Sequence, residues 1–326
     1  MSRPRVAVDA GGGDNAPDEI VAGAIQAHED GVEVILVGRD LHGVPSGIEV
    51  VEAAEVIAMD DPDPAKAVRS KRQSSVAVAS RLVKEGRAEA VFSAGSTGAA
   101  LAAGVLEVGR IRGVARPALA VVLPFRASPT VLIDVGANAD VRPEHMAGFA
   151  VLGSVFAEIT LGVDKPRVGL LSIGEEPGKG NELAQQAFPL VEAAVPHFIG
   201  NVEGRDIPGD RVDVVVTDGF TGNVVLKTLE GFGKFLMNEL MGVFSASDQA
   251  KEAAKVLMPG LLELAGTLSP DSYGGAHLLG VKGVCIIGHG SSNAEAVRNA
   301  VRVASSTVEA GLVGAVAGRL GKEGRE

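Results

Sequence analysis

The feature that most constrains the fold of this chain is a junction that occurs four times, in which an apolar run breaks into a glycine-rich polar turn and then opens an amphipathic stretch. The four stretches are VFSAGSTGAALAAGV (91–105), GLLSIGEEPGKGNELAQQ (169–186), DVVVTDGFTGNVVLKTLEG (213–231) and VCIIGHGSSNAEAVRNA (284–300). Each pattern is typical of a buried strand followed by a helix. The first N–H groups of such a helix lack intrahelical partners and lie at the positive end of its dipole. The junctions therefore predict an α/β enzyme that handles phosphate.

Composition favours a parallel sheet covered by helices. Hydrophobic residues make up 46% of the 326 residues, yet only 3% are aromatic and Trp is absent, so Val, Leu, Ile and Ala must build the core. Such a core suits buried parallel strands beneath alanine-rich helices. Strands are predicted at 5–9, 33–37, 89–92, 118–123, 131–135, 167–172, 212–217 and 283–287. Helices are predicted at 16–29, 74–85, 97–108, 143–161, 181–194 and 294–310, and the tail at 318–326 reads as frayed. Three prolines, Pro117, Pro124 and Pro129, predict a hairpin or excursion in the middle of the chain.

The same composition excludes several classes of protein. A net charge of −11 argues against nucleic-acid binding, which requires a basic face. The single cysteine, Cys285, excludes a disulfide framework, and its apolar surroundings predict a core residue rather than a nucleophile. The histidines show no metal-binding spacing, so neither a metal nor a cofactor is predicted. No signal peptide or stretch of about 18 apolar residues is present, so the cytoplasm is the expected location.

Residues 223–268 depart from the strand–helix rhythm and predict a helical hairpin. Two helical lengths flank the short sequence SASD, and the first carries an apolar face. That face consists of Phe232, Phe235, Leu236, Leu240, Met241 and Phe244. One interpretation is a hairpin that packs on its own domain or on a dimer mate. The other is a projecting hairpin whose apolar tip rests on a membrane surface.

The glycine-rich loops match no nucleotide-binding fingerprint. The loop from Gly174 to Gly180 resembles a P-loop, but it is one residue short and no Ser or Thr follows its lysine. A small oxyanion such as free phosphate therefore suits these loops better. Lys179 is the best charged candidate, because its ammonium can reach an anion at the helix start, although an exposed loop lysine has the same pattern. Asn223 offers an amide donor at a helix start, or serves as an ordinary cap or first-turn residue.

Other polar residues of the junctions have both a ligand-binding and a structural interpretation. Ser96 and Thr97 can donate to phosphate or cap a helix, and His289 can contact a ligand or make a structural hydrogen bond. The full set of predicted binding residues is Asp9, Gly95, Ser96, Thr97, Asn138, Asn181, Asp218, Thr221, Gly222, His289, Ser291, Ser292 and Asn293. Two basic clusters, Arg69, Lys71 and Arg72, and then Arg110, Arg112 and Arg116, are either a solvated face or a docking surface for an acidic protein or lipid.

Taken together, the motifs resemble the phosphate acyltransferase (PlsX) family of bacterial phospholipid synthesis. The matching stretches include VDAGGGDNAP (8–17), RPALA (116–120), DVGANAD (134–140), GLLSIGEEPGKGNEL (169–183), FIGNVEGRDI (198–207) and DVVVTDGFTGNVVLKTLEG (213–231). They run almost end to end, so residues 1–326 are expected to form one domain. The chain departs from the family pattern at Gly11, where the family usually has Met, at Ser96, where it has Asn, and at His277.

The resemblance implies a three-layer α/β/α fold related to the isocitrate and isopropylmalate dehydrogenases and to phosphotransacetylases. It implies that acyl-ACP and inorganic phosphate react to give acyl phosphate and free ACP, with Lys179 and Asn223 at the catalytic centre. It also implies a homodimer in the cytoplasm that contacts the inner face of the membrane through the hairpin, and a partnership with the downstream glycerol-3-phosphate acyltransferase. The basic clusters would dock the acidic carrier protein. Two alternatives stay open, an isopropylmalate-type dehydrogenase and a non-enzymatic peripheral membrane scaffold.

Overall fold

The computed structural model describes residues 3–125, 128–267 and 274–323, which form helical layers around one sheet. The strands are β1 (Arg5–Asp9), β2 (Glu33–Gly38), β3 (Glu49–Glu52), β4 (Ala90–Ser93), β5 (Ala118–Leu123), β6 (Thr130–Ile133), β7 (Val168–Leu171), β8 (Phe198–Val202), β9 (Val214–Val216), β10 (Ala276–Leu279) and β11 (Val284–Ile287). The helices are α1 (Asp18–Glu29), α2 (Pro64–Ser70), α3 (Ser75–Lys84), α4 (Thr97–Ala103, continued by a π-helical turn, Gly104–Val108), α5 (Pro143–Leu161), α6 (Glu182–Ala194), α7 (Gly219–Ser245), α8 (Asp248–Thr267), α9 (Ala294–Glu309) and α10 (Leu312–Glu323).

The sheet is mostly parallel and reverses direction in its centre. Its strand order is β3-β2-β1-β4-β11-β10-β5-β6-β9-β7-β8. The ladders β11–β10, β10–β5 and β5–β6 are antiparallel, and the other ladders are parallel. Since the number of reversals is odd, β6, β9 and β7 run opposite to β1, β4 and β11. The antiparallel β5–β6 pair, flanked by Pro117 and Pro129, confirms the predicted hairpin.

Helices cover both faces of the sheet, as alternation along the strands requires. Val6 and Val8 of β1 pack in a cluster with α1 and α9, whereas Ala7 faces the cluster that contains α3 and α4. On the other half of the sheet, Val214 and Val216 pack with α5, α6 and α10. These three clusters confirm the predicted three-layer α/β/α architecture with a mostly parallel sheet.

Five elements have no counterpart in the sequence-based prediction: α2, β3, β8, β10 and α10. The frayed tail predicted at 318–326 is wrong as far as Glu323, because α10 extends to that residue. Leu312 and Val316 of this helix are buried against the core cluster of α5. Residues 324–326 lie outside the described part of the chain.

The predicted hairpin is present and extends away from the core. All buried residues of α7 lie in its first turns, at Gly219, Gly222 and Leu226. Beyond them the helix carries large apolar side chains in solvent, including Phe232, which is 59% exposed. Val256 of α8 is 81% exposed. The predicted end of the hairpin, Leu268, lies outside the described residues.

No single helix in the described ranges is long and apolar enough to cross a membrane. The successive helices α9 and α10 pass that test only when they are joined across a bend of 45°. Both contribute buried residues to the core, among them Val297, Val301 and Leu312.

His277 is a buried histidine in an apolar setting. It lies on β10 with its ring centroid 4.8 Å from that of Phe156 on α5. Neither ring nitrogen has a hydrogen bond of good geometry among the described residues. Burial lowers the pKa of the imidazole, and the backbone of Gly275 raises it by a smaller amount. Burial therefore lowers the pKa of His277 from 6.5 to about 4.

This histidine should make the protein less stable in acid. The unfolded chain takes up a proton near pH 6.5, whereas folded His277 resists protonation until about pH 4. Stability from this residue is therefore complete above pH 6.5 and falls as the pH drops towards 4, by about 3 kcal/mol in all. We expect His277→Leu to remove this part of the difference in unfolding free energy between pH 7.5 and pH 4.5, measured in urea. The exposed His42→Leu should leave the difference unchanged, and an equal effect of both variants would contradict the assignment.

Candidate active site

The predicted site residues lie in two groups of loops at the carboxyl ends of strands. The first loop group follows β1, β4 and β11 and comprises residues 10–15, 94–97 and 288–293. The second loop group follows β6, β7 and β9 and comprises residues 134–142, 172–181 and 217–223. Hydrogen bonds connect the loops after β1 and β11 in the first group and the loops after β6 and β9 in the second. Among the described residues, none connects the two groups, and none joins the loop of Lys179 to the other loops of its group. The expectation that the first group completes a cradle around Lys179 and Asn223 therefore stays a prediction.

In the first loop group, the three loops are tied together by backbone contacts. Asp14 N donates to Gly290 O at 2.8 Å, and Asn15 Nδ2 donates to the carbonyls of Ser291 and Ser292. A Cβ at Gly12 would lie 2.9 Å from the backbone nitrogen of Gly95, so only glycine permits this close approach. The glycines of this group therefore allow the loops to pack against each other.

Asp9 lies beneath these loops at the end of β1. Its carboxylate is buried and accepts a hydrogen bond of 2.6 Å from Ser93 Oγ. Burial raises the pKa of Asp9, and hydrogen bonds from Ser75, Ser93 and the backbone offset part of that rise. The group is thus held in a fixed position at the base of the first loop group.

The four helix starts differ in how many N–H groups are free to bind an anion. At α4, the N–H groups of Thr97, Gly98 and Ala99 have no partner among the described residues, and no acidic side chain lies in the first turn. At α9, by contrast, Ala294 N donates to Glu19 Oε2 and Ala296 N donates to the capping Asn293. Two N–H groups at the start of α9 are therefore occupied within the chain, whereas those at the start of α4 are open, and the anion site at these helix starts stays a prediction.

The start of α7, the most conspicuous junction in the sequence, is also occupied by the chain itself. Asp218 accepts hydrogen bonds from the backbone N and the Oγ1 of Thr221, at 2.8 and 2.7 Å. Gly219 N donates to Asn138 O at 2.8 Å. A carboxylate thus lies where an anion was expected, so Asp218 and Thr221 bond to each other as a helix cap. A Cβ at Gly222 would overlap the carbonyl oxygen of Asp134, which explains why glycine is needed there.

Asp134 organises the loop that lies against α7. Its buried carboxylate accepts hydrogen bonds from the backbone N atoms of Leu119, Gly136, Ala137 and Asn138 and from Asn138 Nδ2. Asn138 Nδ2 also donates to Pro117 O. Both amide protons of Asn138 are therefore used within the chain, which supports its structural interpretation, while its role in ligand binding stays a prediction.

Lys179 lies on a turn that hydrogen bonds to the carbonyl of Glu176 hold in place. Glu176 O accepts a hydrogen bond from Lys179 N at 2.9 Å and another from Asn201 Nδ2 at 2.8 Å. Asn201 is on β8 and only 2% exposed. On the outer side, Arg211 binds the Glu175 carboxylate with two hydrogen bonds. The side chain of Lys179 is exposed and makes no ion pair among the described residues, so its charge is free for a ligand.

Asn201 was not singled out from the sequence, although it lies in the FIGNVEGRDI stretch. We expect Asn201→Ala to accelerate amide hydrogen exchange in residues 173–180 and to lower turnover about tenfold, because the turn that presents Lys179 loses one of its two bonds to Glu176 O. The measurement is a double-mutant cycle with Lys179→Ala. If Asn201 acts through Lys179, its substitution should have little effect in the Lys179→Ala background, whereas additive effects would contradict this role.

Asn223 and Asn181 belong to the same loop group as Lys179. Asn223 is exposed on α7 and lies close to Gly136. A Cβ added at Gly136 would be in van der Waals contact with the Cβ and the Oδ1 of Asn223, at 3.8 Å from each. Its amide makes no hydrogen bond among the described residues. Asn181 caps α6, its Oδ1 accepting from Ala184 N at 2.9 Å. The second loop group therefore presents the Lys179 ammonium and the Asn223 amide without partners among the residues that the structure describes.

The remaining predicted residues lie on the surface of the first loop group. His289 is exposed, with Nδ1 3.0 Å from Ser291 Oγ, while Ser292 is buried and donates to His289 O at 2.7 Å. No cluster of three metal-ligating side chains occurs in the part of the chain that the structure describes.

Solved structures with the same architecture identify the class of fold. A phosphotransacetylase from Streptococcus pyogenes superposes with a TM-score of 0.63 at 16% identity, covering 94% of each chain. A 4-hydroxythreonine-4-phosphate dehydrogenase from Klebsiella pneumoniae gives a TM-score of 0.51 at 15% identity, covering 93% of this chain and 98% of that one. The fold is therefore shared by phosphotransacetylases and by a group of dehydrogenases, as the sequence predicts.

Sequence comparison is more specific than the fold. The family model described as "Fatty acid synthesis protein" matches residues 4–314. A phosphate acyltransferase from Desulfitobacterium hafniense is 51% identical over 319 residues, which cover 95% of both chains. One from Moorella thermoacetica is 48% identical over 323 residues, which cover 96% of this chain and 94% of the relative. The chain belongs to the phosphate acyltransferase (PlsX) family.

Proposed function

We propose that this protein is an acyltransferase that converts acyl-ACP and inorganic phosphate to acyl phosphate and free ACP. The observation that carries the proposal is Lys179, which makes no ion pair with the residues that the structure describes and lies on a turn held by a buried asparagine and an external ion pair. Its setting suits a small anion, and phosphate acyltransferase is the name of relatives that share about half of the residues. Neither of the alternatives, a scaffold or a dehydrogenase, accounts for such a preorganised charge.

In the proposed reaction, phosphate is itself the nucleophile. A phosphate oxygen attacks the thioester carbonyl carbon, the carbonyl oxygen becomes an oxyanion, and the C–S bond then breaks to release the ACP thiolate, which is protonated. Lys179 holds phosphate or the developing oxyanion, and Asn223 donates to the same centre. The open N–H groups at the start of α4, with Gly95, Ser96 and Thr97, offer a second place for an anion.

The two basic clusters are proposed to dock the acidic carrier protein. Arg69, Arg72, Arg110, Arg112 and Arg116 are exposed, and α2, which contains Arg69, packs against α4. Charge reversal at Arg69, Arg72, Arg110 and Arg112 should raise the KM for acyl-ACP and leave the KM for phosphate unchanged, because long-range charge acts mainly on association with the larger partner.

The test of the proposed function is phosphate-dependent cleavage of acyl-ACP. Purified protein, acyl-ACP and phosphate should give acyl phosphate and free ACP thiol in equal amounts, without added NAD. A scaffold would leave the thioester intact, and a dehydrogenase would need a nicotinamide. Loss of thioester at the same rate when phosphate is omitted would contradict the proposal.

We further propose that the protein acts in the cytoplasm as a homodimer that contacts the inner face of the membrane, beside the glycerol-3-phosphate acyltransferase that would use the acyl phosphate. The support is the exposed apolar surface of the hairpin, which includes Phe232, Phe235, Leu236, Val243 and Val256. Such a surface favours contact with a membrane or with another protein chain.

Paired serine substitutions on the hairpin should distinguish these contacts. We expect the double variant Phe232→Ser, Phe235→Ser to sediment less with anionic lipid vesicles, because the two exposed rings lie 6.3 Å apart on one face of α7. Its mass in solution, measured by light scattering, should equal that of the unsubstituted protein. A change from dimer to monomer with unchanged vesicle binding would instead assign this face to the dimer contact.

A further inference from the structure

A cavity at the start of α5 carries a positive potential that no established role explains. It has a volume of about 350 Å³ and is lined by Ala115, Arg116, Asp140, Val141, Arg142 and His145. Arg142 is the N-cap residue of α5 and Arg116 precedes β5. The cavity therefore brings together two guanidinium groups, one imidazole and one carboxylate.

His145 presents a hydrogen-bond donor to this cavity. The residue is only 7% exposed, and its Nδ1 accepts a hydrogen bond of 3.1 Å from Arg142 N. A neutral imidazole that accepts at Nδ1 carries its proton on Nε2. Among the described residues Nε2 has no hydrogen-bond partner, and the His145 side chain lines the cavity. A buried ring with an unused N–H thus lines the same cavity as the two arginines.

The positive charges of the two arginines and of the α5 N-terminus repel one another, and a bound anion would offset this repulsion. The N-terminus of a helix carries partial positive charge, and a cation there is unfavourable. Arg142 nevertheless occupies the N-cap, where its guanidinium has no acceptor for the helix N–H groups. Its contact with Glu144, at 4.0 Å between exposed groups, contributes little. Arg116 has no ion pair among the described residues, and Asp140 is the one acidic residue in the lining of the cavity.

The two arginines also act on the protonation of His145. Burial is the main cause that lowers the pKa of His145, and the charges of Arg142 and Arg116 lower it further, against the opposing charge of Glu144. The imidazole therefore stays neutral at pH 7 and acts as a donor through Nε2.

We propose that this cavity is an oxyanion-binding site that takes a phosphate group, held by the guanidinium groups of Arg116 and Arg142 and by Nε2–H of His145. Planar guanidinium groups bind phosphate oxygens in pairs, and an N–H donor beside them completes the coordination. The site is distinct from Lys179, but it belongs to the same loop group. Asn138 Nδ2 donates to Pro117 O, and thereby ties the Arg116 segment to the loop that lies against Asn223.

Two sources can supply this phosphate group. One is free inorganic phosphate. The other is the phosphodiester of a phosphopantetheine arm, the group through which carrier proteins hold their thioesters. The second source rests on the proposed function, since it requires an acyl carrier as donor, whereas the first does not.

The experiment uses the full-length protein with ¹⁵N-labelled histidine, in which His145→Gln identifies the His145 signals. Inorganic phosphate and 4′-phosphopantetheine are titrated separately. We expect one of them to shift the His145 resonances saturably and to raise the pKa of His145, because a bound oxyanion opposes the field of the arginines. Arg116→Gln and Arg142→Gln should each weaken binding at least about tenfold. The control Arg39→Gln, an exposed arginine outside the cavity, should have no effect.

The outcomes separate the sources and can overturn the proposal. A response to inorganic phosphate alone assigns the site to free phosphate, and a response to phosphopantetheine alone assigns it to the arm of the donor. In the kinetic assay, the arginine variants should raise the KM for phosphate if the site binds free phosphate, or the KM for acyl-ACP if it binds the arm. The KM for the second substrate should stay unchanged in either case. No saturable shift with either probe, or a shift that persists in both arginine variants, would overturn the proposal. The NMR result does not depend on activity, so it stands apart from a failure of the proposed function.

Discussion

Lys179→Ala should lower kcat/KM for acyl transfer about 10²–10³-fold while the protein stays folded. Removal of one preorganised donor from an oxyanion site typically has an effect of this size. The side chain of Lys179 is exposed and makes no hydrogen bond or ion pair among the described residues, so the unfolding free energy should change by less than about 0.5 kcal/mol. The measurement is a thiol-release assay with acyl-ACP, together with urea unfolding.

Three comparisons make this prediction specific. Lys165→Ala, at another exposed lysine outside the proposed site, should keep full activity. Asn223→Ala should show a loss similar to that of Lys179→Ala, and the double variant should lose less than the product of the two, because residues that act on one centre are not additive. Near-normal turnover of folded Lys179→Ala protein would remove this lysine from the mechanism.

Asp134→Ala should have the largest effect on stability, lowering the unfolding free energy by about 4 kcal/mol or more. The change leaves the backbone N–H groups of Leu119, Gly136, Ala137 and Asn138 without their acceptor in a buried loop. Each unsatisfied buried donor costs about 1–3 kcal/mol, and relaxation of the loop recovers part of the total. Activity should fall as well, since this loop lies against Asn223 and Asn138 O accepts from the first N–H group of α7.

Asp134→Asn keeps the prediction testable if the alanine variant does not fold. An asparagine oxygen in the place of Oδ1 retains the bonds to Leu119, Gly136 and Ala137, whereas its NH₂ group faces the two donors of Asn138. We therefore expect an intermediate loss of stability. The exposed Asp164→Ala is the matched control and should change nothing. A loss below about 1 kcal/mol in both Asp134 variants would contradict the role of this carboxylate.

The sequence predicted those elements whose pattern is local. Long apolar runs such as β5, and periodic helices such as α5, appear with the same bounds in the sequence and in the structure. The missed elements lack such a pattern. β3 has the sequence EVVE and lies at the edge of the sheet, α2 has only seven residues, and β8 contains Gly200 and Asn201. Their existence depends on partners elsewhere in the chain.

The reversal in the centre of the sheet could not be predicted for the same reason. It requires β10, a short strand that pairs with β5 across more than 150 residues of sequence, and a local pattern carries no information on that pairing. Because β10 was not predicted, all four junctions were expected to lie on one polar surface. The structure instead separates them into two loop groups.

The candidate site was predicted where a residue's environment is set by its neighbours in sequence. Lys179 between glycines indicated a charge on a turn, and the structure gives that charge no partner among the described residues. Asn201 and His145 were missed as functional residues because their significance lies in contacts with Glu176, on another loop, and with a cavity between β5 and α5. Asp218 stays a predicted binding residue, and the sequence pattern did not indicate that its carboxylate caps the helix whose N–H groups were expected to be free.

The central claim is that phosphate attacks the thioester directly, without an acyl-enzyme intermediate. Single-turnover kinetics test it, with the protein in excess over acyl-ACP and with rapid acid quenching. The account predicts that ACP thiol and acyl phosphate appear with the same rate constant, that this rate constant depends on phosphate concentration, and that no thiol is released without phosphate. A burst of thiol before acyl phosphate forms, together with acyl groups covalently attached to the protein, would contradict the account.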